Sequence, residues 1–124
     1  MTQKDKELLY KDLSARLPYR VKVNEAVQGD FTLIGLIKER AFTTCETEGC
    51  HNDFPIECIK PYLFPFSSVT EEQKKEYQYI IERWMYDSSY SISDITDWLN
   101  KNHFDYRGLI EKGLAIDATG LNIY

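Results

Sequence analysis

No stretch of this sequence is long and apolar enough to span a bilayer. The longest mainly apolar segment, Phe31 to Ile37, falls far short of the roughly 20 residues that a membrane-crossing helix needs. No basic opening followed by an apolar run marks a secretion leader, so the expectation is a soluble, cytoplasmic protein with no membrane partner. Neither G-x-x-x-x-G-K-S/T nor G-x-G-x-x-G occurs, and H-E-x-x-H is absent. Nucleotide-binding and zincin readings therefore lose their support, and no cofactor is expected. Cysteine is scarce: three residues cannot all pair within one chain, and without a leader a reducing compartment is the simplest setting. Positive charge is in deficit, with 15 Lys and Arg against 20 Asp and Glu. That balance argues against a large sequence-independent grip on nucleic acid, whose affinity comes from neutralising phosphates.

What is present suffices for one domain spanning residues 1–124. With 43% hydrophobic residues in 124, the chain can bury a core but cannot support two independent ones. Leu9, Leu13 and Leu17 recur every fourth residue, predicting an N-terminal helix from Gln3 to Leu17 that Pro18 ends. The period then changes to two. Residues 19–28 alternate apolar and polar, Gly29-Asp30 supplies a turn, and Phe31 to Lys38 forms a second strand whose apolar residues on both faces suggest a central position. Ala41 to Thr47 and Phe54 to Tyr62 complete a four-strand antiparallel meander, short enough to curl into a small SH3-like form, and Pro61 and Pro65 are expected to end its pairing.

Thr70-Glu71-Glu72-Gln73 is a capping box that opens a helix with Tyr77, Ile80, Ile81, Trp84 and Met85 as its buried stripe. A further helix starts near Ser91 or Ser93, carries Ile92, Ile95, Trp98 and Leu99 on one side, and closes at His103 or Phe104. A short turn and an extended tail follow Gly108, with Gly113 suited to a left-handed helix end. The fold class is α+β: an N-terminal helix, the meander, then two helices and a tail packed on it. Leu13 and Trp84 are expected to share the core.

Three constellations bear on chemistry. Cys45, Cys50, His51 and Cys58 supply the ligand types of a Cys3His zinc site, but adjacency of Cys50 and His51 suits one tetrahedral ion poorly and no compact C-x-x-C pair is present. The expectation is no metal. His103, Asp105, Tyr106 and Arg107 crowd one bend, where a His-carboxylate pair could act as a base and Arg107 could bind an anion. No Ser or Cys nucleophile sits in a recognisable elbow. Asp105, Arg107 and Gly108 therefore read as a structural or recognition corner, with Asp105 capping the backbone, Arg107 bonded to it or to a nearby carbonyl, and His103 and Tyr106 as weaker candidates. Arg16, Arg20, Lys22, Lys38 and Arg40 gather in the first third of the chain and are the residues a nucleic-acid patch would use. Segment 60–66, rich in Tyr, Phe and Pro, is either a clamp between sheet and helices or a surface for a partner.

The run Phe104-Asp105-Tyr106-Arg107-Gly108-Leu109-Ile110-Glu111-Lys112-Gly113-Leu114-Ala115 resembles the C-terminal signature of a family of short proteins from Bacteroides-type gut bacteria and their prophages. Weaker echoes lie in residues 10–19 and 59–72, and the chain departs from the family at Arg20, a position associated there with glycine. The resemblance implies a small protein of mobile-element origin and supplies no reaction or ligand. The leading expectation is a non-enzymatic module acting through an unknown protein partner. A nucleic-acid-binding small barrel is the rival, and an enzyme using residues 103–107 comes third.

Overall fold

The computed structural model describes residues 1–45 and 51–124. Its elements are α1 (Gln3–Arg16), β1 (Lys22–Glu25), β2 (Gly29–Ile37), β3 (Arg40–Thr44), β4 (His51–Pro55), β5 (Ile59–Leu63), α2 (Glu71–Tyr86), α3 (Ile92–Lys101) and β6 (Ile116–Asp117). The fold is α+β, with an N-terminal helix, a six-stranded mixed sheet ordered β4-β3-β2-β1-β5-β6, and two further helices. Neighbours from β4 through β5 run antiparallel, and β6 joins β5 in parallel.

The sequence reading of a four-strand meander is corrected in three places. The expected fourth strand, residues 54–62, is broken by a 3-10 turn at Ile56–Cys58, so β4 pairs with β3 while β5 crosses to β1. Pro55 begins that break, having no N–H to offer a ladder. Pro61, expected to end pairing, sits inside β5 opposite Val23. Its backbone position is harmless there: Val21 pairs toward β2 through its carbonyl, so alternate residues Lys22 and Asn24 face β5. Lys60 and Tyr62 then face β1, and Pro61 faces away. Finally, β1 is shorter than the alternation suggested because Leu17–Tyr19 forms a 3-10 turn that closes on Arg20 at φ 55°.

The core lies where α1 and the segment around Leu109 to Ala115 cover one face of the sheet. Leu9 and Leu13 from α1 meet Val21, Val23, Phe31, Leu33, Ala41, Phe54, Ile59 and Leu63 from the strands, closed by Leu109 and Leu114. The other face of β2 is not covered, since Ile34 and Ile37 are exposed. A register irregularity between Leu33 and Gly35 accompanies this uneven apolar pattern. Helices α1 and α2 open on reciprocal side-chain caps, Thr2 with Asp5 and Thr70 with Gln73, and at α3 the Asp94 carboxylate accepts from the Ser91 N–H. No helix among the described residues is long and apolar enough to cross a membrane.

Candidate functional site

The bend after α3 is built by a left-handed histidine. The His103 N–H reaches the Asn100 carbonyl at 3.1 Å and the Phe104 N–H reaches Leu99 at 2.9 Å, the paired bonds that end many helices. His103 itself sits at φ 61°, where glycine is the usual occupant and histidine is tolerated better than most. The twist sends the chain into a bridge of Phe104 with Phe64, just beyond β5, in which the Phe64 N–H donates to the His103 carbonyl and the Phe64 carbonyl accepts from the Asp105 N–H, at 2.8 Å each.

From there the four crowded side chains part company. The Asp105 carboxylate accepts from the Leu109 N–H at 3.0 Å and the Ile110 N–H at 2.9 Å, holding the turn that Gly108 makes possible at φ 75°. Arg107 does not bond Asp105 as expected from sequence; its Nη1 lies 2.8 Å from Asp12 Oδ1 and 2.9 Å from the Tyr106 hydroxyl. The Tyr106 hydroxyl in turn donates to Asn100 Oδ1 at 2.8 Å. His103 stacks on the Tyr124 ring with centroids 3.7 Å apart, and burial, reinforced by the Arg16 cation, lowers its pKa to about 4. Base, carboxylate and cation therefore point to separate structural partners, and the arrangement offers no shared reaction point.

Sequence reading missed the centre of this network. Asp12 and Arg16 are fully buried, with Arg16 Nε 2.8 Å from Asp12 Oδ2 and Arg16 Nη2 2.6 Å from the Phe104 carbonyl. The available signal was an oppositely charged i, i+4 pair lying beside the leucines of α1. Its burial also corrects the basic patch: Arg16 cannot touch a phosphate. Arg40 is committed to Asp53 through two nitrogens at 2.9 and 2.7 Å, while Lys38 lines a cleft against α1 with Lys6, Tyr10 and Lys11. Arg20 and Lys22 share a cleft that Thr32 and Thr44 also line.

Cys50 lies outside the described residues, Cys45 is disulfide-bonded, and Cys58 is a free, exposed thiol on the 3-10 turn before β5. The bond at Cys45 counts against three reduced thiols. His51 stands exposed at the start of edge strand β4.

Segment 60–66 clamps the sheet to the helices. Phe64 packs on Phe104 and Tyr124, and Phe66 packs on Phe104 and Tyr77, each with ring centroids 5.4–6.5 Å apart. Trp98 lies between Tyr77 and Phe104, at 5.3 and 5.5 Å, and donates its indole N–H to Glu76 at 3.2 Å. This aromatic cluster seats only the first half of α2. Beyond it the apolar stripe continues without cover: Trp84 is 43% exposed, Met85 61%, Tyr86 83%, and Ile92 at the start of α3 65%. No residue of this 16-residue helix is buried. The expected burial of Trp84 is thus corrected; the helix outruns the body that could cover it. On the adjoining face, Tyr79, carrying Arg83 over its ring at 4.9 Å, and Ile80 line a cleft of about 510 Å³ between α2 and α3, with Trp98, Lys75 and Lys101 around it. Tryptophan, tyrosine, methionine and arginine are the residue types that interfaces concentrate.

No protein-family model, curated protein or solved structure matches this chain.

Proposed function

We propose that this protein is a non-enzymatic interaction module that binds a protein partner through the outer half of the α2–α3 hairpin. The carrying observation is the amphipathic helix α2, whose Trp84, Met85 and Tyr86 remain exposed although its first turns are anchored by aromatics. Exposed Trp, Met and Tyr gathered at one helix end are residue types that contact sites concentrate. The strand order β4-β3-β2-β1-β5, with a 3-10 turn between β4 and β5, supports an SH3-like reading of the sheet, a scaffold that hosts many unrelated binding functions. A mobile-element origin, as the Phe104 to Ala115 resemblance implies, suits a small binder of this type. Nucleic-acid binding has less support, because burial of Arg16 and the Arg40–Asp53 pair leave the basic residues dispersed.

The test is capture from the source cell with wild-type protein and with Trp84→Glu/Met85→Ser, followed by a titration of the purified captured protein. The reading expects at least a tenfold affinity loss in the variant at unchanged melting temperature. Equal affinity of the two proteins overturns it, and binding to DNA that weakens steeply with salt favours the rival.

A further inference from the structure

Strands β1 and β5 pair through Glu25 with Ile59, Asn24 with Lys60 and Val23 with Pro61. The next pair in that register is Lys22 with Tyr62, whose backbone groups face each other. There the Lys22 N–H does not close directly on the Tyr62 carbonyl. Instead the Tyr124 hydroxyl occupies the seam: it accepts from the Lys22 N–H at 2.9 Å and donates to the Tyr62 carbonyl at 2.8 Å. One phenol thus replaces a ladder bond between residues 102 and 62 positions away from it in sequence.

The ring is recognised as well as the hydroxyl. One face lies on His103 at 3.7 Å with an interplanar angle of 11°, and Phe64 contributes a tilted contact at 5.9 Å. The imidazole is oriented by the left-handed backbone of His103, and burial keeps it neutral, so the slot presents flat uncharged surfaces to the ring and a donor-acceptor pair to its hydroxyl. That combination selects a phenol over a phenyl group, because a phenyl would leave both backbone groups unpaired. Tyr124 nevertheless leaves 44% of its surface exposed, and preceding residues Asn122 and Ile123 only border a cleft of about 370 Å³. The occupant is a side chain laid in from outside rather than a core residue.

We propose that the β1–β5 seam is a tyrosine-binding slot and that Tyr124 is its displaceable resident, a strap that a tyrosine presented by another chain can replace. Displacement would free residues 119–124, beyond the Ala118 N–H that stays bonded to the Leu63 carbonyl at 2.8 Å, and open the neighbouring cleft lined by Lys22, Asp30, Phe31 and Thr32. The slot lies on the sheet, apart from the α2–α3 surface, so its test does not depend on that reading.

The experiment follows p-cresol binding to Tyr124→Ala by NMR, reading the Lys22 amide and the His103 imidazole. Saturable shifts at both positions are expected, with p-cresol at least about fivefold tighter than toluene, the contribution of the lost hydrogen bonds. A folded variant showing neither shift overturns the slot. In wild-type protein the Lys22 amide should exchange with solvent faster than that of Val23, since release of the strap exposes it; equal protection overturns displaceability. Should Tyr124→Ala fail to fold, Tyr124→Phe keeps the ring and removes both bonds. Its Lys22 amide should exchange at least tenfold faster than in wild type, and an unchanged rate overturns the assignment.

Discussion

Arg107 Nη1 stands 2.8 Å from Asp12 Oδ1 across a separation of 95 residues, on a carboxylate that α1 already shares with Arg16. Two guanidiniums thus converge on one fully buried anion, and the first helix is tied to the corner that follows the last. A buried carboxylate holding two cations cannot be removed without stranding them. Asp12→Ala should cost about 3–5 kcal/mol, the range for breaking a buried ion pair by deleting one partner. Arg107, partly open to solvent, should cost less: about 1–3 kcal/mol for Arg107→Ala, with Arg107→Lys recovering only part because it lacks the planar fork. Urea unfolding of these variants and of the double mutant measures the coupling. Additive losses would show that the two charges do not interact as their distance implies.

The hydrophobic core and the exposed helix should respond oppositely to truncation. Leu13 is fully buried, and Leu13→Ala should lose about 2–5 kcal/mol. Trp84→Ala removes a far larger side chain from a half-exposed position and should cost below about 1 kcal/mol. Equal losses would mean that α2 packs more tightly against the body than the structure describes.

Acid should destabilise the protein through His103. Its pKa is 6.5 in the unfolded chain and is lowered to about 4 in the folded one, chiefly by burial and secondly by Arg16. Between those values the unfolded state binds a proton that the folded state does not, so stability present above pH 6.5 falls as pH drops toward 4. The variant His103→Asn tolerates the left-handed backbone and does not titrate. Stability curves of the two proteins between pH 7 and 4 should differ in slope, wild type losing more. Parallel curves, or an imidazole titrating near 6.5 by NMR, would contradict the burial of this ring.

Gly108 gives a cleaner backbone test. A methyl group placed there meets nothing within 4 Å, yet φ is 75°. Gly108→Ala should therefore cost about 1–2 kcal/mol from conformation alone, and Gly108→Asn less. If alanine proves neutral by thermal melting, the Asp105-capped turn does not require the left-handed geometry.

Local regularities were legible in the sequence. The leucine period of α1, the Thr70 to Gln73 box and the glycine positions at 108 and 113 fixed helices and turns, because each reports hydrogen bonds and dihedral preferences within a few residues. The division of residues 54–62 into two strands on opposite sides of the sheet depended on which partners β3 and β1 offered, a choice no short window contains. Trp84 carried the pattern of a buried residue and became exposed, since periodicity states which face is apolar but not whether anything covers it. Arg16 failed in the other direction: counted with an exposed basic patch, it is buried with Asp12 by Phe104 and Arg107 from the far end of the chain. Tyr124 was silent in sequence for the same reason. Its two partners, the Lys22 N–H and the Tyr62 carbonyl, come together only after the strands have paired.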